Sequence, residues 1–223
     1  YLECTGSQYM LFDLKIAECG IDVQITPTRP EIVNNFAFSW QTNYGGENGT
    51  SYRNFRWAPS NSSVSWWDAG SITPGINTFG VKTEVSANFK NNKKLKLTAN
   101  GETYEKALGE VTYCPFETAC WGKLLAWDKA GNMGLHNSAY MKMHHIAMSE
   151  GSALKYDLLP ALDSTGTPCM FDTVTRTPFY NSGTGDFLYP TDAALAATIG
   201  MDDKFYAQMT EHGVRRLYYV PKG

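Results

Sequence analysis

The sequence predicts an all-β protein. The expected architecture is a two-sheet antiparallel β-sandwich over residues 1–189, followed by a small α/β C-terminal extension over 190–223 with short helices and a final strand. Three observations lead there. Short runs rich in Val, Ile, Thr and aromatic residues alternate with clusters of Gly, Asn, Ser and Pro. No helical periodicity interrupts those runs before the last third of the chain. The 223 residues are 43% hydrophobic and 13% aromatic, enough for one shared core.

Taken in order, Tyr9 to Ile16 and Ile21 to Thr26 are two apolar runs around Glu18-Cys-Gly20. Phe36 to Trp40 alternates, with its aromatics on one side. Tyr52 to Trp57 and Val64 to Trp67 follow, divided by the turn-rich stretch Ala58 to Ser63. Thr78 to Phe89 is a longer alternating run. Lys94 to Ala99 is expected to pair with Glu102 to Tyr104 across Asn100-Gly101, a pair that supplies the two positive-φ positions of a type I′ turn. Strands continue at Lys123 to Trp127, Tyr140 to Met148 and Leu154 to Leu162. In the extension, Thr191-Asp192 is expected to cap an Ala-rich helix through Thr198, Asp202 to His212 forms a second helix, and Val214 to Val220 is a strand.

The charged fraction is 18% and the net charge −3, a balance that excludes a nucleic-acid partner, since phosphate binding needs clustered Lys and Arg. The basic stretch Lys90 to Lys96 reads as a solvated hairpin. No apolar run is long enough to span a bilayer. The sequence opens at Tyr1 with neither a Met nor a charged-then-apolar leader, which suggests that a leader or an upstream region has been removed, as in export. The five Cys (Cys4, Cys19, Cys114, Cys120 and Cys169) leave at least one thiol unpaired and match no zinc spacing. Cys114 and Cys120 bracket a short loop that a disulfide can close, and packing as buried free thiols is the alternative for each.

Two segments carry a family resemblance. The opening YLECTGSQY (Tyr1 to Tyr9) resembles the first strand of concanavalin-A-like or laminin-G-like domains of bacterial surface and phage tail-associated proteins, with Cys4 where that family often has Ser. The segment Met141 to Tyr189, which contains LLPALDSTGTPCMFDTVTRTPFYNSGTGDFLY, is similar to the same family's closing module: strand, Asp-x-x-Gly turn, Pro-Cys-apolar-apolar-Asp, then Phe-Tyr-Asn-x-Gly-Thr-Gly. The resemblance implies a jelly roll over residues 1–189, does not cover the tail, and says little about activity, because members range from lectins to glycanases to capsid parts. The closing motifs also have a local reading. Asp163 accepts hydrogen bonds from its own turn, and Gly166 takes the positive φ.

Candidate chemistry centres on Trp66-Trp67-Asp68. Adjacent strand residues face opposite ways, so one Trp enters the core and the other is exposed, at an edge, or under a loop. An exposed Trp beside polar groups suits a stacked sugar, and the loop Tyr44-Gly-Gly-Glu-Asn-Gly49 with Arg53 brings Tyr44, Glu47, Asn48 and Arg53 as hydrogen-bonding partners. His144 and His145, with His136 upstream, suggest metal, but alternation sends neighbours to opposite faces, so one inward and one outward His is expected. The resemblance allows calcium, with Asp68, Asp128 and Asp186 as loop candidates and no Asp-x-Asp-x-Asp cage; no other cofactor is implied. The Glu-x-Asp-x-x-Glu spacing of this superfamily's glycanases is absent, and Glu102, Glu105 and Glu110 read as solvated. An aspartic-protease reading needs two facing Asp-Thr/Ser-Gly loops. Asp163, Asp68 and Asp172 each depart from that motif.

The expectation is therefore an exported carbohydrate-recognition or adhesion module, secreted or on a bacterial cell surface, that binds glycans or glycoproteins such as mucin. The alternative is a hydrolase acting on glycoprotein or mucin, a carboxylate-based glycosidase or aspartic-protease-like enzyme whose acids sequence alone does not pair. A structural surface or virion module is the third class.

Overall fold

The computed structural model describes residues 1–13, 19–29, 35–43, 50–58, 63–66, 70–88, 93–109, 121–124, 127–129, 132–136, 140–163, 165–189, 205–210 and 213–219. Among the described residues every regular element is a strand. They are β1 (Leu2–Thr5), β2 (Met10–Asp13), β3 (Cys19–Pro27), β4 (Asn35–Asn43), β5 (Thr50–Ala58), β6 (Ser63–Trp66), β7 (Gly70–Ile72), β8 (Thr83–Asn88), β9 (Lys94–Ala99) and β10 (Glu102–Ala107). Then follow β11 (Trp121–Leu124), β12 (Trp127–Lys129), β13 (Asn132–His136), β14 (Tyr140–Glu150), β15 (Ala153–Leu162), β16 (Pro168–Asp172), β17 (Thr177–Phe179), β18 (Phe205–Thr210) and β19 (Gly213–Tyr219). Among the described residues, no helix is long and apolar enough to cross a membrane.

The strands form an antiparallel sandwich. An 11-stranded sheet runs β10-β9-β8-β3-β14-β15-β16-β17, with β1 beside β14 and the β18–β19 hairpin beside β15. A six-stranded sheet runs β2-β11-β4-β5-β6-β7, and β12 and β13 form a small ribbon. Period-two alternation decides which face of the large sheet is covered. Ile21, Val23 and Ile25 on β3, Val85 and Ala87 on β8, and Leu95 and Leu97 on β9 are all buried. They share one core with Met10 and Phe12 of β2 and Ile72 of β7, from the other sheet. Each fully buried side chain of this size is worth about 1.5–3 kcal/mol of transfer free energy. At one end Phe12 stacks on Phe179 (4.7 Å between centroids) and meets Tyr156 edge-on (5.4 Å), tying β2 to β15 and β17.

Local expectations at the turns hold. Asn100 (φ 54°) and Gly101 (φ 79°) form the left-handed pair that joins β9 to β10. Asp163 Oδ1 accepts from the backbone N–H groups of Thr165 (2.9 Å) and Thr167 (2.8 Å), and Gly166 stands at φ 84°.

The opening strand and the closing module clasp each other. Glu3 and Leu188 form a β-bridge, Ser182 N donates to Tyr9 O (2.8 Å), and Thr184 N donates to Ser7 O (3.1 Å). Buried Gln8 locks the joint: its Oε1 accepts from Thr5 N (2.8 Å) and its Nε2 donates to Asp186 O (3.0 Å). Asn181 Oδ1 accepts from Tyr9 N (3.0 Å).

The tail corrects one expectation. Segment 202–212, read as a helix, contains strand β18, which pairs with β15 (Ala161↔Gln208) and with β19. Phe205, Ala207 and Met209 alternate with Tyr206, Gln208 and Thr210, and ladder partners on both sides outweigh a weak helical pattern. The Thr191–Thr198 helix lies outside the described residues.

Candidate functional site

The sequence-predicted glycan site falls largely beyond reach. Tyr44, Glu47, Asn48, Trp67 and Asp68 lie outside the described residues. Arg53 stands in β5 opposite Trp40, and Trp66 in β6 opposite Phe55, on adjacent strands of the six-stranded sheet. Of the calcium candidates, Asp68 is not described, Asp128 lies in β12, and Asp186 gives its carbonyl to the Gln8 clasp. Among the described residues no three His, Cys, Asp or Glu side chains gather as a metal site. Cys4 and Cys169 are buried free thiols, both held well above the ordinary thiol range by burial.

The chemistry gathers instead on the outer face of the large sheet. Alternation that buries Ile21, Val23 and Ile25 turns Asp22, Gln24 and Thr26 outward on β3, and the same rule turns Glu84 and Ser86 outward on β8 and Lys96 and Thr98 on β9. Register then sets them side by side. Gln24 is opposite Glu84, Asp22 opposite Ser86, Ser86 opposite Lys96, and Glu84 opposite Thr98. These side chains and His145 line an open depression of about 110 Å³.

Gln24 Nε2 donates to Glu84 Oε1 at 3.0 Å, which fixes that carboxylate and leaves its second oxygen for another partner. Burial between the flanking strands pushes the Asp22 carboxyl up from its ordinary value; His145 and a hydrogen bond from Ser86 pull it down, and Glu84 pushes it further up. Asp22 keeps an exposed surface, so neighbours crowd it without sealing it from water.

The histidines correct a second expectation. Met143 pairs with Ile25 and His145 with Gln24, so β14 carries one extra residue, His144, at a bulge. The extra residue breaks the alternation, and both imidazoles sit on the outer, half-exposed face, while Met143 and Ile146 on either side are buried. His144 Nε2 shares a hydrogen bond with Thr26 Oγ1 (2.9 Å). His145 Nε2 lies 2.6 Å from Asp157 Oδ1, which places a proton on Nε2 toward the carboxylate. Thr173 Oγ1 donates to Asp157 Oδ2 at 2.5 Å, and the Asp157 N–H donates to Asp172 Oδ1 at 2.7 Å. His145 is thus held at the rim of the depression by a chain of bonds reaching a fully buried carboxylate.

Asp163 and Asp172, the acids of the aspartic-protease reading, are absorbed by their own turns. Burial alone would raise Asp163, but donors on Thr165, Thr167 and Tyr180 outweigh it and hold the carboxyl below its ordinary value. Asp172 accepts from Val174 N (3.2 Å) and Thr175 N (3.0 Å). Glu105 is exposed and ion-paired with Lys94 (3.1 Å). The residues that sequence reasoning passed over are Asp22, Gln24 and Glu84. The parity of Asp22-Val-Gln24 and Glu84-Val-Ser86 shows that they face one way, but their pairing depends on a register between strands some sixty positions apart.

No family model and no curated protein matches the chain. Solved structures similar to it include scytalido-glutamic peptidase with a peptide-based transition-state analog, at 9% identity over 67% of this chain and 83% of that chain, with a TM-score of 0.35. SCP-B, a member of the eqolisin family of peptidases in a complex with the tripeptide Ala-Ile-His, gives 9%, 67%, 83% and 0.34. Scytalido-glutamic peptidase with a transition-state analog inhibitor gives 8% identity over 98% of this chain and all of that chain (100%), with a TM-score of 0.34. Values this low carry neither a fold family nor a chemistry across.

Proposed function

We propose that this chain is a carboxylate-dependent hydrolase acting on an extended glycan or glycoprotein chain laid across the outer face of the large sheet. One observation carries the reading: Asp22 and Glu84 meet diagonally on adjacent strands in a single depression, with distinct surroundings. Diagonal neighbours on an antiparallel pair stand about 7–8 Å apart. A glycosidase needs its acid and its base or nucleophile within about 5–10 Å.

The surroundings divide the labour. The raised Asp22 carboxyl retains its proton to higher pH and gives it to the leaving oxygen. Glu84, steadied by Gln24, takes a proton from the attacking water. His145 sits by Asp22 and offsets part of the upward push on its carboxyl. The Gln24 carboxamide favours peptide-bond hydrolysis as a second reading, because an N–H beside a water-activating carboxylate can stabilise a tetrahedral oxyanion.

The test is turnover of mucin, neutral and acidic oligosaccharides and an unfolded protein by the wild type, Asp22→Asn and Glu84→Gln. The expected outcome is a loss of about 10²–10⁴-fold in each variant, the span of general acid–base contributions. In the wild type, turnover falls as pH rises through the Asp22 pKa, which lies above the ordinary carboxylate value. Turnover undiminished in both variants overturns the assignment. Glycan binding without turnover in any of the three returns the chain to the recognition-module class.

A further inference from the structure

Along β14, toward Tyr140, the outer face changes character. Lys142 is opposite Thr26, two positions along β3 from Gln24. Its Nζ lies 4.5 Å from the centroid of the Tyr1 ring, and that ring meets His144 edge-on at 5.9 Å. Two residues further, the Arg29 guanidinium lies 4.2 Å over the ring of Tyr140, whose side chain leans across Gly6. Thr28 N, next to Arg29, donates to Tyr140 O at 3.0 Å and ties that segment to the strand. Among the described residues neither Arg29 nor Lys142 forms an ion pair, and Glu3, across from Lys142 in the register, makes none either.

Two basic side chains are therefore held in place by aromatic faces rather than by carboxylates. A guanidinium stacked on a ring uses its face and keeps its edge donors free. Ring contact also restricts the rotamers of two long side chains, which lowers the ordering cost of binding an anion. The position is as telling as the charge. At about 3.3 Å per residue, the Thr26–Lys142 level lies roughly 7 Å along β3 from the Gln24–Glu84 pair, and Arg29 lies further out.

We infer that Arg29 and Lys142, braced by Tyr140 and Tyr1, form an anion subsite that holds a carboxylate or sulfate of an acidic glycan whose next units cross Asp22 and Glu84. This deepens the hydrolase reading and rests on it for the register of the chain. A glycan is favoured over an acidic peptide because the site lies on the face of an interior stretch of sheet. Around Asp22 and Glu84, β3, β8, β9 and β14 each have partners on both sides, so no backbone edge is open there for a peptide to add as a strand, whereas side-chain amides, hydroxyls and carboxylates suit sugar hydroxyls.

The test measures binding, not turnover. Labelled oligogalacturonate, a sulfated glycosaminoglycan oligosaccharide, a neutral maltooligosaccharide and oligoglutamate of matched length are titrated against the wild type and the double variant Arg29→Gln/Lys142→Gln. One or both acidic glycans should bind the wild type, bind the double variant roughly tenfold more weakly, and weaken with salt; which one binds identifies the anion. A neutral glycan bound as tightly, oligoglutamate bound more tightly, no binding by either acidic glycan, or a double variant that binds like the wild type while keeping its melting temperature would each overturn the subsite. If the double variant melts early, single Arg29→Lys and Lys142→Arg replacements, which keep the charge, must restore both fold and binding. Absence of turnover with the binding pattern intact removes the hydrolase and leaves the subsite. Turnover without preference for acid removes the subsite alone.

Discussion

Asp22 is where sequence and chemistry meet most directly. Its folded pKa is raised, so the native state binds the proton more tightly than the unfolded chain does. The sign follows. Below the ordinary carboxylate value both states are protonated and there is no penalty; as pH rises through the window up to the folded pKa, stability is lost, and the loss is complete above it. Asp22→Asn should therefore melt at a higher temperature than wild type at pH 7, with the gap closing at pH 3, as thermal denaturation at both pH values will show. Equal gaps at both would mean that the carboxylate is not under strain. At this scale the sequence was partly legible. The outward parity of Asp22, Gln24 and Glu84 can be read from their neighbours, and the absorption of Asp163 by its own turn was foreseen from Gly166 and Asp163 alone. The diagonal meeting of Asp22 with Glu84 was not, because local pattern carries no information about register across sixty residues.

Among the elements, β14 shows how one residue can redirect a strand. Strict alternation would part His144 from His145, and the bulge instead puts both outward without disturbing the buried set Met141, Met143, Ile146 and Met148. Deleting His144 removes only the surplus residue and leaves a strand whose outward and inward positions alternate perfectly. That variant should stay folded, with a melting temperature close to wild type. Deleting Ile146 throws Met148 outward and Ser149 inward, and should unfold the protein or lower its melting temperature far more. Circular dichroism melts of the two deletions decide the matter, and equal damage would refute the bulge. Bulges leave little trace in composition, which is why the pair of His was misassigned. The Asn100-Gly101 hairpin, by contrast, was legible because its turn needs two specific residue types. The misread tail shows the opposite failure. Ala207, Gln208 and Met209 tolerate a helix, and only the ladders to β15 and β19 decide for a strand.

Across the whole molecule, the two segments that carry the family resemblance turn out to be one structural unit, the clasp of residues 1–9 with 181–188. A Cβ on Gly183 would run into the Ser7 carbonyl oxygen. Gly183→Ala should therefore loosen the clasp and lower the melting temperature, while Gly75→Ala at an open turn with no neighbour within 4 Å should cost only the strain of its φ of 73°, about 1–3 kcal/mol. A Gly183→Ala melt no lower than that of Gly75→Ala would contradict the packing. The clasp was half legible. Both segments were recognisable as structural, but nothing in either names the other.

The clasp also sets an order of events during synthesis. β1 finds its ladder in β14, and Ser7 Oγ donates to a carbonyl 177 positions later. β1 cannot form this ladder until some 140 further residues have been made. Closure of the clasp therefore waits on β14 and the closing module, and until then β1 is open to capture by a chaperone or by another nascent copy.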